Sequence, residues 1–195
     1  MDPGSFRRNA NMPNSVTLFR IAMVPVFVVL LMRDGGESPA VRWWAATVFV
    51  GAAATDRLDG WLARRNGTVT TFGIVADPIA DKALTGAAFV GLSVLGELAW
   101  WVTVVVLVRE IGVTVLRAAV IRHTVVPASK GGKLKTVLQT IALTLFVAPL
   151  PGPLQLVAWV VMALAVAVTV VTGVQYTVSI LRAARRHRTG VAGPA

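Results

Sequence analysis

The sequence contains no cysteine, a single tyrosine and only nine acidic residues among its 195. The absence of cysteine excludes disulfide bonds and any chemistry that depends on a thiolate. Charged residues make up 14% of the chain, whereas a soluble domain carries about 25%. Hydrophobic residues account for 55% and the mean hydropathy is +0.71. This composition indicates a polytopic helical membrane protein that forms one domain.

Six apolar stretches predict six helices, each near the ~17–25 residues that cross a bilayer. They cover residues 15–32, 42–62, 76–95, 98–121, 134–150 and 154–181, and they are separated by charged segments and by segments rich in glycine and proline. No alternating strand pattern of useful length is present. We therefore expect an all-α, six-transmembrane-helix bundle over residues 1–188, with residues 1–14 as an N-terminal cytoplasmic segment and residues 189–195 as a disordered tail.

The net charge of +10 does not point to nucleic acid as a partner, because the cations cluster at helix ends. Twelve of the nineteen lie on one side of the predicted bundle, at Arg7, Arg8, Arg64, Arg65, Arg122, Lys130, Lys133, Lys135, Arg182, Arg185, Arg186 and Arg188. Tryptophan pairs at 43–44 and 100–101 open helices on the other side, where indoles favour the membrane interface. Both signals predict that the N and C termini are cytoplasmic.

Four aspartates stand at the edges of two apolar stretches. Asp56 and Asp59 lie near the end of the second predicted helix, and Asp77 and Asp81 near the start of the third. Acids at membrane depth are costly, by roughly 2.5–3.5 kcal/mol each, and are usually functional. Four neighbouring carboxylates would repel one another without a cation, and carboxylate oxygens suit Mg²⁺ or Mn²⁺. The pattern predicts a site for two such ions, an arrangement that serves phosphoryl transfer.

Other interpretations of these acids remain open at this point. Asp77 precedes Pro78, so it is also a good helix N-cap with proline at the first position. Acid pairs inside helices also mark the ion pathways of divalent-cation transporters, although those carboxylates would be distributed across the bilayer. A non-catalytic membrane scaffold would use the acids only as solvated charges at helix ends.

The aspartates belong to a longer motif that resembles the signature of the CDP-alcohol phosphotransferase family. The motif reads Asp56-x2-Asp59-Gly60-x2-Ala63-Arg64-x8-Gly73-x3-Asp77-x3-Asp81. The resemblance implies transfer of a phosphatidyl group from a CDP-linked lipid to an alcohol, with release of CMP. It also implies that the four aspartates hold the metal ions and that Asp81 takes the proton of the attacking hydroxyl. The residues expected to bind the CDP-lipid are Asn14, Thr17, Gly60, Ala63, Arg64, Thr70 and Gly73.

A surplus of cations near the same face suits an acceptor alcohol that carries its own phosphate. The candidates are Arg20, Arg109, Arg117, Lys133 and Lys135. For Arg109, which is followed by Glu110, an ion-paired role and a substrate-binding role are both open. The segments 13–20, 109–117 and 127–136 resemble the phosphatidylglycerophosphate synthase branch, which implies CDP-diacylglycerol and glycerol 3-phosphate as substrates. Inositol phosphate as the acceptor, or another alcohol, remains the alternative.

Ala83, Ala87 and Gly91 repeat every four residues on the third predicted helix. Such small residues favour close contact between helices. The contact is either internal packing or a homodimer seam, and the family resemblance favours the homodimer. It also implies a bacterial-type plasma membrane as the location, with membrane lipid around the bundle and the active site at the cytoplasmic face.

Overall fold

The structure is a computed structural model that describes the backbone of residues 12–66, 71–120 and 130–188 and the side chains of residues 18–55, 82–116 and 132–180. The described backbone is all-helical and contains no strand. Its long helices are α1 (Met12–Met32), α2 (Pro39–Asn66), α3 (Thr71–Val94), α4 (Trp100–Val120), α5 (Lys130–Val147) and α6 (Gly152–Arg188), with a short 3-10 turn at Arg33–Gly36. The predicted helical class and the six helices are confirmed for this part of the chain.

Several helices begin or end beyond the predicted limits. α2 continues to Asn66 and α3 begins at Thr71, so the connection between them is shorter than the sequence suggested. Asp77 consequently lies inside α3, and its interpretation as an N-cap is wrong. The proline misled the prediction, because it favours a helix start but does not require one. Lys130, which precedes the predicted limit of the fifth helix at residue 134, lies in the first turn of α5.

The core is made of aliphatic residues, small residues and a few aromatic rings. Phe27 of α1 and Phe49 of α2 are fully buried, and their ring centroids lie 5.4 Å apart. Phe146 of α5 meets the Trp159 ring of α6 edge to face, at a centroid distance of 5.0 Å. Such tilted and edge-on pairs stabilise packing beyond the area that they bury. They join α1 to α2 and α5 to α6, which are two of the closely packed helix pairs.

Arg42 fixes one end of the bundle. Its side chain is only 6% exposed and binds both carboxylate oxygens of Glu97, which lies between α3 and α4. Its Nε donates to the carbonyl of Val147 at 2.8 Å, and its Nη2 donates to the carbonyl of Phe146 at 2.6 Å. Carbonyls in the last turn of a helix have no donor within that helix, so the guanidinium caps α5. The α1–α2 turn, the α3–α4 turn and the end of α5 therefore share one end of the bundle.

This arrangement decides what lies at the opposite end. The end of α2, the start of α3, the end of α4 and the start of α5 all point away from Arg42. These segments carry Asp56, Asp59, Asp77 and Asp81 together with the predicted acceptor cations of α4 and α5. The fold thus brings the helix ends that bear the predicted chemistry to one end of the molecule.

The outer surface is strongly apolar. Large aliphatic side chains are exposed along α4 and α6, among them Val104, Val108, Ile111, Val115, Leu156, Val160, Leu164 and Val171. Within the described residues, one helical segment is long and apolar enough to cross a membrane, Gly152–Ile180, with a mean hydropathy of 2.5. The six membrane spans and the cytoplasmic position of both termini stay predictions.

Candidate active site

The four aspartates occupy two helices that pack against each other. Asp56 and Asp59 lie on α2, and Asp77 and Asp81 lie on α3. On a helix, residues three or four apart share a face, so Asp56 and Asp59 share a face of α2, and Asp77 and Asp81 share a face of α3. Their side chains are outside the described residues. Among the side chains that are described, no group of three histidines or acids is arranged to hold a metal ion.

The residues predicted to bind the CDP-lipid also lie outside the described side chains. Asn14 and Thr17 are on α1, and Gly73 is on α3. Gly60, Ala63 and Arg64 are on the last turns of α2, whereas Thr70 lies in the segment 67–70, outside the described backbone. Their roles stay predictions.

A cluster of charged side chains lies where α3, α4 and α5 meet. It consists of Lys82, Arg109, Glu110 and Lys135, called the Glu110 cluster below. The Glu110 Oε1 accepts hydrogen bonds from Arg109 Nη1, at 3.3 Å, and from Lys135 Nζ. All three side chains are largely buried, with 19% of Glu110, 14% of Arg109 and 7% of Lys135 exposed. Buried charges require partners, and here one carboxylate serves two cations.

Arg109 is also attached to α6. Its Nε donates to the carbonyl of Thr169 at 3.1 Å, and its Nη2 donates to the Thr172 hydroxyl at 2.9 Å. Gly173 permits this approach, because a Cβ atom there would lie 2.9 Å from Arg109 Cγ. Gln139 of α5 donates to the Thr169 hydroxyl at 3.0 Å. The guanidinium therefore ties α4 to α6 as well as binding Glu110. The ion-paired role of Arg109 is thus observed, and its substrate-binding role stays a prediction.

Lys82 joins the cluster from α3, directly after Asp81. Its Nζ contacts the Thr114 hydroxyl and lies 3.4 Å from the carbonyl oxygen of Glu110. Thr114 in turn donates to the same carbonyl at 2.7 Å. The segment of α3 that carries Asp77 and Asp81 is therefore attached to the segment of α4 that carries Glu110.

The remaining predicted acceptor cations have different surroundings. Arg20 is buried in α1, with 1% of its surface exposed. Lys133 is exposed near the start of α5, and Arg117 lies on α4 with its side chain outside the described residues. The structure thus brings together Arg109 and Lys135 from the predicted set, through Glu110.

Sequence reasoning missed Lys82, the central position of Glu110, and the polar pair Thr169 and Thr172. A signal was present for the threonines: they lie three residues apart in a long apolar segment and precede Gly173. Threonine in a helix usually returns its hydroxyl to a carbonyl of the preceding turn. Both threonines do so here. Each hydroxyl also accepts a hydrogen bond from a neighbouring helix, Thr169 from Gln139 and Thr172 from Arg109.

An apolar groove of about 300 Å³ lies between α2 and α5. It is lined by Val50, Ala53, Ala54, Thr140, Ile141, Thr144 and Leu145. Ala53 and Ala54 precede Asp56 by one turn or less. The groove therefore leads along α2 toward the helix end that carries the first two aspartates.

Known proteins match this chain over most of its length. A family model for CDP-alcohol phosphatidyltransferases matches residues 10–171. A probable phosphatidylglycerophosphate synthase of Mycobacterium tuberculosis is 57% identical over 175 residues, which cover 90% of this chain and 84% of that protein. A CDP-diacylglycerol–glycerol-3-phosphate 3-phosphatidyltransferase of Bacillus subtilis is 38% identical over 179 residues, which cover 85% of this chain and 93% of that protein. The chain belongs to the CDP-alcohol phosphatidyltransferase family.

Proposed function

We propose that this protein transfers the phosphatidyl group of CDP-diacylglycerol to sn-glycerol 3-phosphate and releases CMP. The product would be phosphatidylglycerophosphate, and the reaction would be a step of phospholipid synthesis. Family membership supports the transferase chemistry. The names of the two relatives described above support this donor and this acceptor.

The Glu110 cluster is the main structural support for a phosphorylated acceptor. Lys82, Arg109 and Lys135 contribute three positive charges, and Glu110 contributes one negative charge. The cluster therefore has two positive charges in excess, which an anion with about two negative charges would neutralise. A phosphate monoester carries about that charge near neutral pH. Lys82 also follows Asp81 directly on α3, so the cluster includes the sequence neighbour of the residue proposed as the base.

Asp81 is the proposed general base. It would accept the proton of the primary hydroxyl of glycerol 3-phosphate while that oxygen forms a bond to the phosphorus that bears diacylglycerol. The bond from this phosphorus to the CMP oxygen breaks, so CMP leaves with the electron pair. A carboxylate within hydrogen-bond reach of the hydroxyl is suited to this proton transfer.

Asp56, Asp59, Asp77 and Asp81 are the residues proposed to hold two Mg²⁺ or Mn²⁺ ions. Their chemistry fits, because four carboxylates supply the oxygen ligands that these ions prefer and a charge that balances two divalent cations. When bound, such ions would neutralise the pyrophosphate oxygens of the CDP-lipid. Gly60 and Ala63 would leave space beside the carboxylates, and Arg64 would offer a forked donor to a phosphate or a nucleobase.

The remaining predicted CDP-lipid contacts, Asn14, Thr17, Thr70 and Gly73, are retained in this proposal. Arg20, Arg117 and Lys133 are retained as further contacts of the acceptor phosphate. For the diacylglycerol chains we infer the groove between α2 and α5, because its lining is apolar and it runs along α2 toward Asp56. An acyl chain in this groove would leave the lipid phosphate at the level of the aspartates.

The proposed setting is a bacterial-type plasma membrane, crossed six times by one domain that spans residues 1–188. Exposed aliphatic side chains along α4 and α6 support immersion in lipid. Both termini and the active site would face the cytoplasm, in line with the distribution of Lys and Arg. We also retain the homodimer as a proposal.

An acceptor screen tests the function. Purified protein in detergent with CDP-diacylglycerol and Mg²⁺ would be given glycerol 3-phosphate, inositol phosphate, free inositol, serine or phosphatidylglycerol, and CMP release would be measured. Of the five acceptors, we expect only glycerol 3-phosphate to give rapid CMP release. Preference for inositol phosphate would assign the same chemistry to the alternative acceptor. Release with free inositol or serine, but with neither phosphorylated alcohol, would contradict the role of the cation cluster.

A further inference from the structure

We propose that Glu110 is a positioning residue for the acceptor phosphate, whose carboxylate holds the Lys135 ammonium in place to receive it. This inference rests on the proposed function, since it assumes that Lys135 binds the phosphate of the acceptor. Glu110 is an acidic residue within a group of cations, and a site that binds an anion would not be expected to contain a carboxylate without such a role.

Lys135 needs such a partner because of where it lies. Its side chain is only 7% exposed, and it projects from the second turn of α5 into the region between α3 and α4. A lysine side chain has four rotatable bonds and loses considerable conformational entropy when it is held in one position. Within the described residues, Glu110 accepts one of the three N–H groups of the ammonium, which leaves two for a phosphate.

Glu110 is itself held from several directions. Arg109 Nη1 donates to the same carboxylate oxygen, and the other groups of this guanidinium are fixed on Thr169 and Thr172 of α6. The backbone carbonyl of Glu110 receives the Thr114 hydroxyl, at 2.7 Å, and approaches Lys82 Nζ, at 3.4 Å. Attachment to α3 through Lys82 and to α6 through Arg109 makes Glu110 a firm support for the Lys135 side chain.

The charges show why the carboxylate does not simply compete with the phosphate. Without Glu110, the largely buried Arg109 and Lys135 would lie near each other and near Lys82 with no negative charge between them, and like charges repel. With Glu110 present, two positive charges remain in excess, which suffices for a phosphate dianion. The acid therefore reduces repulsion among the cations while leaving the net charge that an anionic acceptor needs.

The chain provides an internal control at the other end of the bundle. Glu97 also pairs with a buried cation, Arg42, but this pair caps α5 and lies far along the helices from the aspartates. Glu97→Gln is therefore expected to affect folding stability without changing the affinity for either substrate. It is the matched variant for Glu110→Gln, which removes the same charge and keeps the same shape.

The experiment measures kcat and both KM values for the wild type, Glu110→Gln, Glu110→Asp and Glu97→Gln in detergent. For Glu110→Gln we expect the KM for glycerol 3-phosphate to rise about tenfold or more, the effect of weakening one charge-assisted hydrogen bond. The KM for CDP-diacylglycerol should stay within about twofold, since only the acceptor contact is altered. Glu110→Asp keeps the charge and should recover part of the acceptor affinity, whereas Glu97→Gln should match the wild type.

A double-mutant cycle separates positioning from general stabilisation. If Glu110 acts through Lys135, then Glu110→Gln should change the acceptor KM much less in a Lys135→Met background than in the wild type. A lower acceptor KM in Glu110→Gln would overturn the inference, because it would mean that the carboxylate competes with phosphate. An unchanged KM, or full additivity with Lys135→Met, would overturn it as well. A wild type that transfers phosphatidyl groups only to unphosphorylated alcohols would instead refute the proposed acceptor, and this inference with it.

Discussion

Arg42 and Glu97 meet at one end of the bundle, where the guanidinium binds both carboxylate oxygens and also caps the last turn of α5. One side chain thereby joins the start of α2, the α3–α4 turn and the end of α5. The turn beside it contains Asp34, Gly35 and Gly36, all with positive φ, and the Gly36 position lies against the Arg42 guanidinium. The end of the bundle at Arg42 and Glu97 is therefore structural, and the proposed active site lies at the opposite end.

Arg42→Met is expected to destabilise the protein by about 2–4 kcal/mol, since it leaves Glu97 and two carbonyls without their donor. The loss is smaller than for a fully buried pair, because 34% of the Glu97 side chain is exposed to solvent. Thermal unfolding in detergent would measure the change. Arg33→Met is the control, because Arg33 and Asp34 are each 64% exposed and their charged atoms lie 3.9 Å apart. Equal melting temperatures for the two variants would contradict the prediction.

Two glycines on neighbouring helices give a sharper test of the link between Arg109 and α6. Both line a groove of about 380 Å³ between α4 and α6. A Cβ at Gly173 would lie 2.9 Å from Arg109 Cγ, whereas a Cβ at Gly112 would meet nothing within 4 Å. Cγ is near the root of a side chain whose head is held by Thr169 and Thr172, so it cannot move aside cheaply.

Gly112→Ala should therefore stabilise the protein by about 0.5–1 kcal/mol through helix propensity. Gly173→Ala should lose this gain and destabilise the protein by about 1–3 kcal/mol through overpacking. The melting temperatures of the two variants should thus move in opposite directions. If Gly173→Ala is as stable as Gly112→Ala, the contact between Arg109 and α6 is not as close as described.

The sequence predicted much of this fold because the apolar stretches and their breaks are distinct. All six helices occur, and the turn at Gly96 and Glu97 falls where glycine indicated it, with Gly96 at φ 75°. The sequence misplaced the start of α3, because Asp77 followed by Pro78 has the composition of a helix start. Local composition cannot reveal that the preceding residues, from Thr71, continue the same helix.

The Glu110 cluster could not be derived in the same way. The sequence identified Arg109 and Lys135 as candidates but not Lys82. Pairing depends on how α3, α4, α5 and α6 face one another, which periodicity within one helix does not determine. Glu110 is the clearest example: adjacent to Arg109 in sequence, it proves to be shared with Lys135 on the next helix. The carboxylate quartet was recognised from its spacing alone, and its metal-binding role stays a prediction.

The repeat of small residues at Ala83, Ala87 and Gly91 is buried at one end and exposed at the other. Gly91 is buried, and a Cβ there would lie 2.6 Å from Leu31 Cδ2, so this position packs internally against α1. Ala83 is exposed and Ala87 is half-buried, so the other end of the pattern is available for a second copy of the chain.

Because the chain has no cysteine, Ala83→Cys introduces a single thiol. We expect a bifunctional thiol reagent to cross-link this variant into a covalent dimer in membranes. Val171→Cys, at an exposed position of α6, is the control and should remain monomeric. Cross-linking at position 171 but not at position 83 would place the contact between copies on another face.

Asp81 carries the largest expected effect on activity. Asp81→Asn keeps the size of the side chain but can neither accept the hydroxyl proton nor contribute charge to the proposed metal site, so CMP release should fall by at least about 10²–10⁴-fold. Asp34→Asn is the control, because Asp34 is exposed in the turn beside Arg33, at the end of the bundle that Arg42 closes. The measurement is CMP release at saturating glycerol 3-phosphate, with melting temperature as a check on folding.

Because Asp56, Asp59 and Asp77 are proposed to bind the same ions, their Asn variants should also lose activity and should lose the stabilisation that added Mn²⁺ gives the wild type. Asp81→Asn protein that folds normally and releases CMP at the wild-type rate would remove Asp81 as the base, and full activity in all four variants would remove the quartet from the active site.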